Sequence, residues 1–459
     1  MSEPTALSLI PPAVVLILAI TLRRPILALV LGAISGLLLL SPAEALNNFS
    51  EISLKVMQDE TIGWLILVCG SFGALIALLV RTGGALAFGR AALKLAKGRR
   101  SSLLMTFALG VVIFVDDYLN ALTVGETMKR VTDRFRISRE MLAYVVDSTA
   151  APICVLVPLS TWAVFFGGLL ENNDIAATGE GISVYIQAIP YMLYAWFAVI
   201  LVLLVAAGVV PAIGPMRKAE MAARHGSAGA MHVGELSPEH NYSMKSLEEE
   251  FEGADKEGGK LYNFLVPLLM LIGFTIYFDI DVWMGMLATL AITVPFYLLQ
   301  RLMPLSEMLD QMVDGFKTML PAIGIVIAAF IFKDVCDQLM LPQYVVESLK
   351  PYMSPQMLPA MVFLAMAVLA FATGSSWGIF AVTIPIVMPL AYALQADIPL
   401  TIGALLSASA FGSQACFYSD STVLAAQGSG CNLISHAITQ LPYTLIAAAL
   451  AFIGFILIA

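Results

Sequence analysis

Long apolar runs separated by short polar segments make up most of this chain. A helix needs about 20 apolar residues to cross the roughly 30 Å hydrocarbon core of a bilayer. Runs of about this length lie near residues 6–22, 25–42, 63–80, 186–212, 261–279, 282–300, 317–337 and 437–459. The pattern therefore predicts an all-α polytopic membrane protein.

Four more stretches are apolar but interrupted by polar or helix-breaking residues. They are 102–128, 141–169, 356–394 and 400–428, with the interruptions DDYLNALTVG at 116–125, DSTAAP at 147–152, ATGSSWG at 372–378 and FGSQACFYSDST at 411–422. Irregular backbone at membrane depth is tolerated only where protein buries it or where it lines a wet cavity. We therefore expect the functional site at these interruptions.

The distribution of lysine and arginine predicts the orientation. The five basic residues of segment 129–139 would face outward if 102–128 simply crossed the bilayer. A re-entrant hairpin over 102–128, with its turn in DDYLNALTVG, removes this conflict, and a second hairpin over 356–394 enters from the opposite side. All but three of the 24 basic residues then lie on the cytoplasmic side with loop 213–260, and both termini are periplasmic.

The two halves of the chain match as inverted-topology repeats. Residues 1–212 and 261–459 each contain three helices, a hairpin, a broken helix and a final helix, and segment 213–260 is a solvated linker. The broken helices over 141–169 and 400–428 share the tripeptide Asp-Ser-Thr at 147–149 and 420–422. Inverted repeats with broken helices are typical of secondary transporters.

Composition and motifs exclude several classes of protein. Hydrophobic residues make up 59% of the chain and charged residues only 12%, whereas soluble domains are about one quarter charged. This excludes a nucleic-acid-binding protein and an ordinary cytosolic enzyme. The sequence contains no GxxxxGKS/T and no HExxH, so we expect neither an enzyme nor an ATP-driven pump, and no cofactor besides transported Na⁺ and H⁺. A channel is a further alternative. The broken helices at matching positions of two inverted halves argue against it.

Several motifs resemble those of one transporter family. FVDDYLNALTVG (114–125), ISREMLAYVVDSTAAPICVLVPLSTW (137–162), ATGSSWG (372–378) and segment 419–443 with SDST, GSGC and TQLPY are similar to the NhaC family of sodium/proton antiporters, in the ion transporter superfamily. The resemblance implies a homodimeric antiporter of the bacterial inner membrane, with a scaffold and an elevator-like transport domain of hairpins and broken helices. Some relatives exchange organic solutes with cation coupling.

One motif departs from that family's pattern. The family's second broken helix usually reads GDHCSPISDTT, whereas residues 412–422 read GSQACFYSDST here. Ser413 and Gln414 stand in place of an Asp-His pair, and Phe417 and Tyr418 in place of proline and an aliphatic residue. The loss of two titratable groups argues against simple Na⁺/H⁺ exchange, and the two new aromatic side chains suggest a pocket suited to a larger solute.

Carboxylates at the interruptions are the leading candidates for ion binding. Asp116 and Asp117 can ligate Na⁺, and one can hold a proton in its absence because adjacent like charges disfavour double ionisation. Asp147 and Asp420 each begin Asp-Ser-Thr, whose oxygens suit a small hard cation, so Na⁺ at Asp147 and Asp420 is our hypothesis. For all four carboxylates, capping of a helix N-terminus is the alternative.

Neutral side chains at the same interruptions could complete the ion or substrate site, or could serve only in helix packing. The candidate ligands are Asn120, Thr123, Ser148, Thr149, Thr373, Ser375, Ser376, Ser419, Ser421 and Thr422. A solute pocket could be lined by Trp162, Trp377, Gln414, Phe417 and Tyr418, for which core or interfacial packing is the alternative.

Two further polar positions are predicted to be structural. Lys333 and Asp337 are spaced i, i+4 on one apolar helix and could form an ion pair. His436 comes just before the last apolar run, which favours an ordinary interfacial histidine over a pH sensor.

The sequence thus favours a secondary active, cation-coupled antiporter. Na⁺/H⁺ exchange is the first interpretation, and a Na⁺- or H⁺-coupled exchanger of a small amino acid or carboxylate is the second. The expected partners are the lipid bilayer, the transported ions or solute, and a second copy of the chain.

Overall fold

The computed structural model describes residues 5–22, 24–83, 87, 96–224, 260–279, 281–373, 376–417 and 419–459. Every regular element in these ranges is a helix, which confirms the all-α prediction. Three single helices, Ile62–Arg81, Val282–Leu299 and Leu433–Ile458, are long and apolar enough to span a bilayer, and three bent helix pairs reach that length together. These lengths are those of a polytopic membrane protein.

The first half of the chain contains twelve α-helices in the described ranges. They are α1 (Ile10–Leu22), α2 (Pro25–Leu40), α3 (Ala45–Met57), α4 (Glu60–Arg81), α5 (Arg99–Val112), α6 (Asp117–Arg134), α7 (Arg139–Thr149), α8 (Ala151–Leu156), α9 (Thr161–Asn172), α10 (Gly181–Ala188), α11 (Leu193–Ala206) and α12 (Gly214–Arg224). The predicted run 186–212 is bent by 56° just before α11.

The second half contains ten α-helices in the described ranges. They are α13 (Tyr262–Tyr277), α14 (Val282–Leu299), α15 (Leu305–Thr318), α16 (Leu320–Gln338), α17 (Leu341–Leu349), α18 (Leu358–Thr373), α19 (Ser376–Leu394), α20 (Ile398–Ala415), α21 (Asp420–Ser429) and α22 (Leu433–Ile458). The apolar runs near 261–279, 282–300, 317–337 and 437–459 correspond to α13, α14, α16 and α22.

The first interrupted stretch forms two helices, α5 and α6, that contact each other across a short break. The predicted turn within 116–125 is wrong in position, because residues 117–125 are helical and the break covers 113–116. Asp116 accounts for the difference, since its carboxylate accepts hydrogen bonds from the N–H groups of Tyr118 and Leu119 and so begins α6. Stretch 356–394 forms the pair α18 and α19.

Both broken helices are present, but their shared tripeptides are not at equivalent positions. Helix α7 ends at Thr149, and breaks follow at residue 150 and at 157–160. Residues 147–149 are therefore the last turn of a helix. Residues 420–422, in contrast, are the first turn of α21, after the break that follows α20. The predicted match of the two Asp-Ser-Thr segments is thus wrong in register.

Segment 213–260 is not simply a solvated linker, because it begins with helix α12, which contacts α7 and α22. Glu220 on α12 is buried, pairs with the guanidinium of Arg99, and accepts a hydrogen bond from the backbone N–H of Ser138 at 2.8 Å. The pattern of apolar runs did not predict α12 because this helix is amphipathic, as are α3, α15 and α17. Residues 225–259 lie outside the described ranges.

Ion pairs connect α16 to neighbouring segments of the first half. Lys333 Nζ lies 3.5 Å from Asp337 Oδ2, which confirms the predicted i, i+4 pair, and 3.7 Å from Asp174 Oδ2. Asp334 on the same helix pairs with Lys55 of α3 at 2.5 Å. These charges therefore have structural partners outside the interrupted stretches.

Glycines allow close helix crossings at two places. A Cβ atom placed on Gly125 of α6 would lie 2.6 Å from the backbone carbon of Gly428 on α21. Gly73 on α4 and Gly315 on α15 approach each other in the same way, with each Cβ position 2.2 Å from the other's carbonyl oxygen. The crossing of α6 and α21 joins the first interrupted stretch, 102–128, to the last, 400–428.

We expect Gly125→Ala to destabilise the protein, because the added methyl group would overlap the backbone of α21. Overpacking of this kind typically costs about 1–3 kcal/mol, which should lower the midpoint of thermal unfolding in detergent. The matched control is Gly273→Ala on α13, where a Cβ atom would meet nothing within 4 Å. Equal midpoints for the two variants would contradict the close crossing.

Candidate functional site

The carboxylate of Asp147 is the centre of a polar cluster inside the helix bundle. The Asp147 side chain has no exposed surface. The hydroxyl of Ser421 donates to Oδ1, and the hydroxyl of Thr422 donates to Oδ2 at 3.3 Å. The amide Nε2 of Gln440 donates to Oδ2 at 2.6 Å, and Nε2 of His436 lies 3.2 Å from the same oxygen. We call these five residues the Asp147 cluster, in which four side chains from the second half surround one carboxylate from the first.

The hydroxyl groups of Ser419 and Thr422 also lie close to backbone carbonyls at the break that precedes α21. The hydroxyl of Ser419, the N-cap of α21, donates to the carbonyl of Ser413 and lies 3.2 Å from that of Cys416. The hydroxyl of Thr422 lies 3.2 Å from the Ser413 carbonyl and 3.3 Å from that of Gln414. These are carbonyls that the end of α20 leaves without intrahelical partners. The same segment therefore caps the break and faces the carboxylate.

Two helix ends of opposite polarity meet at Asp147. The first turn of α21 brings the positive end of a helix dipole toward the carboxylate and stabilises its negative charge. The last turn of α7, which carries Asp147 itself, contributes carbonyl groups that favour a cation. Carboxylate, hydroxyl and carbonyl oxygens are hard ligands of the kind that small cations prefer.

Helix α22 supplies two cluster residues that the sequence reasoning missed. The prediction of an interfacial His436 is wrong, because its side chain is fully buried and α22 begins at Leu433, before the apolar run starts. Gln440 lies one turn further along the same face. Tyr443 continues this face and stacks on Tyr144 of α7, with ring centroids 4.5 Å apart. Polar residues at helical spacing on a long apolar helix are the signal that could have identified this face.

Gln414 extends the polar contacts from the Asp147 cluster to a fifth helix. Its Nε2 donates to Ser148 Oγ at 2.6 Å, and its Oε1 accepts from the hydroxyl of Tyr194 on α11 at 2.6 Å. Its backbone carbonyl accepts from Nε2 of Gln440 at 2.5 Å. Gln414, Ser148 and Tyr194 are all buried. The predicted pocket residue Gln414 therefore lies beside the predicted ion ligands.

Asp116 has the geometry of a helix cap. Its Oδ1 accepts from the backbone N–H groups of Tyr118 at 3.0 Å and Leu119 at 2.9 Å, and its Oδ2 accepts from the hydroxyl of Thr161 at 3.0 Å. Asp117, the first residue of α6, is also buried. Asp116 therefore caps the N-terminus of α6, as the alternative to ion binding proposed. Ion binding by Asp116 or Asp117 stays a prediction.

Asn120 joins the ends of two helices. Its Nδ2 lies 2.7 Å from the carbonyl of Gly110, 2.9 Å from that of Ile113 and 2.8 Å from that of Thr149. The Oδ1 of Asn120 and the hydroxyl of Thr123 are buried without a hydrogen-bond partner among the described residues. Asn120 thus positions the last turn of α7, which carries the central carboxylate of the cluster.

The aromatic candidates occupy different surroundings. Trp162 is fully buried and packs on Phe166, with ring centroids 5.4 Å apart. Its surroundings are therefore those of core packing, the alternative to a role in a solute pocket. Phe417 lies at the break after α20, with its ring centroid 6.0 Å from that of Phe371. Their part in a solute pocket stays a prediction.

Six predicted site residues cannot be placed as side chains. Ser375 and Tyr418 lie outside the described residues, and only the backbone is described at Thr373, Ser376, Trp377 and Asp420. These four backbones lie at the end of α18 and in the first turns of α19 and α21.

Apolar bent helices that surround a buried carboxylate with hydroxyl, amide and imidazole groups are typical of polytopic membrane transporters. Residues 153–459 match the Na⁺/H⁺ antiporter family. The chain belongs to this family, which confirms the resemblance to NhaC-type antiporters. It is a family of transporters, not of enzymes.

Two comparisons extend over nearly the whole chain. An uncharacterized protein of Haemophilus influenzae is 29% identical over 491 aligned positions, which cover 98% of this chain and 90% of that protein. The solved structure of MtrF from Neisseria gonorrhoeae, described as illuminating a class of antimetabolite efflux pumps, matches with a TM-score of 0.51 and 13% identity. The match covers 92% of this chain and 85% of MtrF, and indicates a shared fold.

We expect Asp116→Ala to destabilise the protein, whereas Asp116→Asn should preserve its stability. Loss of an N-cap typically costs about 0.5–2 kcal/mol, and asparagine is as good a cap as aspartate. The measurement is the midpoint of thermal unfolding in detergent for both variants. If the asparagine variant unfolds as early as the alanine variant, capping is not what Asp116 contributes.

Proposed function

We propose that this protein is a secondary active antiporter that exchanges Na⁺ for H⁺, with Asp147 as the carboxylate that binds the cation. The observation that carries the proposal is the convergence of four side chains from the second half on a carboxylate that has no exposed surface. A buried charge is unfavourable unless hydrogen bonds or a countercharge compensate it. Membership of the Na⁺/H⁺ antiporter family supports the same assignment.

Several oxygens in and beside the Asp147 cluster could complete a Na⁺ site. The hydroxyls of Ser421 and Thr422 donate to the carboxylate and have lone pairs that can turn toward an ion. The Oε1 of Gln440 is buried without a partner among the described residues, and rotation of its amide would bring this oxygen toward Asp147. The carbonyl of Gln414, already bonded to Gln440, is a further ligand within reach.

The wider arrangement of the transporter is part of the same proposal. Residues 1–212 and 261–459 form inverted repeats with re-entrant hairpins, and an elevator-like movement of the hairpins and broken helices carries the ion. The protein is a homodimer in the bacterial inner membrane, with both termini periplasmic and segment 213–260 cytoplasmic. The distribution of basic residues supports this orientation.

A second candidate is cation-coupled exchange of a small organic solute. The observation that favours it is Gln414, which stands where the resembled family has histidine and bonds Ser148 and Tyr194 through its amide. Neutral donors and acceptors of this kind suit a polar organic molecule. The fold shared with MtrF, whose structure is described in terms of antimetabolite efflux, is compatible with such a cargo.

We expect Asp147→Asn and Asp420→Asn each to reduce Na⁺-driven proton flux in proteoliposomes to the level of empty vesicles. The amide keeps the size of the side chain but removes the negative charge that attracts the cation. The matched control is Asp314→Asn on α15, whose carboxylate is half exposed and pairs with Lys317 at 2.7 Å. Wild-type flux in the folded Asp147 variant would refute the proposed site.

Na⁺ gradients imposed without any organic solute distinguish the two candidates. We expect saturable alkalinisation or acidification of the vesicle interior, according to the gradient's direction, because the exchange needs only Na⁺ and H⁺. The measurement is a pH-sensitive dye inside proteoliposomes. If folded protein gives no response to Na⁺ alone but responds when an amino acid or carboxylate is added, the second candidate replaces the first.

A further inference from the structure

We propose that Glu220, on the linker helix α12, is a positioning residue for ion binding, which holds the N-terminus of α7 and so keeps Asp147 in place against α21 and α22. The inference rests on the proposed function, since it concerns how the cation-binding carboxylate is held. It gives the segment between the two halves a part in transport beyond that of a covalent connection.

The first observation is the burial and pairing of the Glu220 carboxylate. Glu220 is only 5% exposed, and glutamate is almost never fully buried unless it is paired. Its partner is the guanidinium of Arg99, the first residue of α5. The other terminal nitrogen of this guanidinium donates to the carbonyl of Arg136 at 2.6 Å. Arg99 therefore orients Glu220 toward the loop that leads into α7.

The second observation is the cap of α7, which its own sequence leaves incomplete. Ser138 is the N-cap, and its Oγ accepts from the N–H of Met141, the third residue of the helix, at 3.1 Å. In a capping box, that third residue is Glu or Gln, whose side chain accepts from the N–H of the N-cap in return. Methionine cannot do so, and Oε1 of Glu220 accepts the Ser138 N–H instead, at 2.8 Å. The linker helix thus completes the cap from another part of the chain.

The third observation is that α12 is itself fixed to the helices of the site. Met216 of α12 is fully buried and belongs to an apolar cluster with Met141 and Tyr144 of α7 and Tyr443 of α22. Just before α12, the N–H of Ile213 donates to the hydroxyl of Tyr443. The carboxylate is therefore presented to α7 from a docked helix, and the bond to Ser138 can resist a movement of α7.

Helix α7 is short, so a displacement of its N-terminus reaches Asp147. Its eleven residues span about 16 Å at 1.5 Å per residue, and Asp147 lies in its last turn. The carboxylate bonds Ser421, Thr422 and Gln440, all on other helices. Because hydrogen bonds weaken steeply with distance and angle, a tilt of α7 would loosen these contacts and spoil the geometry for a cation.

A role of Glu220 as an anchor for the linker alone makes a different prediction. Loss of such an anchor would lower the stability of the protein, but the molecules that fold would bind Na⁺ as tightly as the wild type. Loss of a positioning residue would also raise the KM for Na⁺, because the site is no longer held in its binding geometry. The KM therefore distinguishes the two roles.

The test compares the KM for Na⁺ of two variants in Na⁺-driven proton flux of proteoliposomes. Glu220→Leu removes the acceptor of the Ser138 N–H and should raise KM about tenfold, the lower end of the range for residues that support metal ligands. Glu220→Gln retains an acceptor oxygen and should keep KM close to that of the wild type. Both variants should unfold at a lower temperature, because both leave Arg99 without its countercharge.

The matched control is Glu307→Leu on α15. Glu307 pairs with Arg81 of α4 at 2.6 Å, and neither helix carries a residue of the Asp147 cluster. This variant should also unfold earlier but should keep the wild-type KM. If Glu220→Leu does not fold, Glu220→Asp takes its place, because it withdraws the carboxylate by one methylene and should raise KM in the same direction.

Hydrogen–deuterium exchange, measured by mass spectrometry, tests the positioning without any transported ion. The amides of Arg139–Thr149 should exchange faster in Glu220→Leu or Glu220→Asp than in the wild type, because the cap of α7 is weakened. In Glu220→Gln and Glu307→Leu the exchange of this peptide should stay as in the wild type.

The outcomes separate this inference from the proposed function. If Asp147→Asn abolishes flux but Glu220→Leu and Glu220→Asp keep the wild-type KM, the inference is overturned and the cation site stands. Wild-type exchange of α7 in these variants would overturn it as well. If Asp147→Asn leaves flux intact, the proposed function itself fails, and the exchange of α7 still decides whether Glu220 holds this helix.

Discussion

A negative charge in the interior of an apolar helix bundle must be compensated locally, and this requirement organises the structure around Asp147. Leaving a buried charge unpaired costs about 3–5 kcal/mol, whereas each hydrogen bond to a charged group contributes about 1.5–3 kcal/mol. All the described groups that bond this carboxylate come from α21 and α22, in the other half of the chain. The carboxylate therefore holds the two halves in one relative position, which hydrophobic burial alone, being non-directional, would not specify.

The linker between the halves is tied to the same pair of helices. Glu220 of α12 accepts the N–H of Ser138 at the start of α7. Just before α12, the N–H of Ile213 donates to the hydroxyl of Tyr443 on α22 at 2.9 Å, and the ring of Tyr443 stacks on Tyr144 of α7. The linker helix thus contacts both elements that supply Asp147 and His436. A displacement of α7 relative to α22 would change these contacts as well as the site.

Hydrophobic pattern was sufficient to predict most of the membrane helices and the four interrupted stretches, because a long apolar run has few other stable conformations in a bilayer. The continuous apolar runs did not predict amphipathic helices such as α12 and α15. In such a helix, apolar residues occupy one face and are separated along the sequence by polar residues. Asp147, Ser421 and Thr422 could be predicted as neighbours of a break from their tripeptides. His436 could not be found by the same rule, because the apolar run starts one residue after it while α22 starts three residues before it. Run boundaries follow side-chain polarity, whereas helix boundaries follow caps, here Asn432.

The departure from the resembled family's motif has a consistent explanation in the charges of the site. Where that family has an Asp-His pair, this chain has Ser413 and Gln414, which are neutral and which bond the backbone and side chains around the break. An imidazole is nevertheless present, on α22, in contact with Asp147. An unpaired ion at membrane depth costs at least about 2.5–3.5 kcal/mol on insertion scales. A second carboxylate at residue 413 would add another negative charge beside the Asp147 cluster, because the backbone of residue 413 contacts Thr422, and serine at this position avoids that cost.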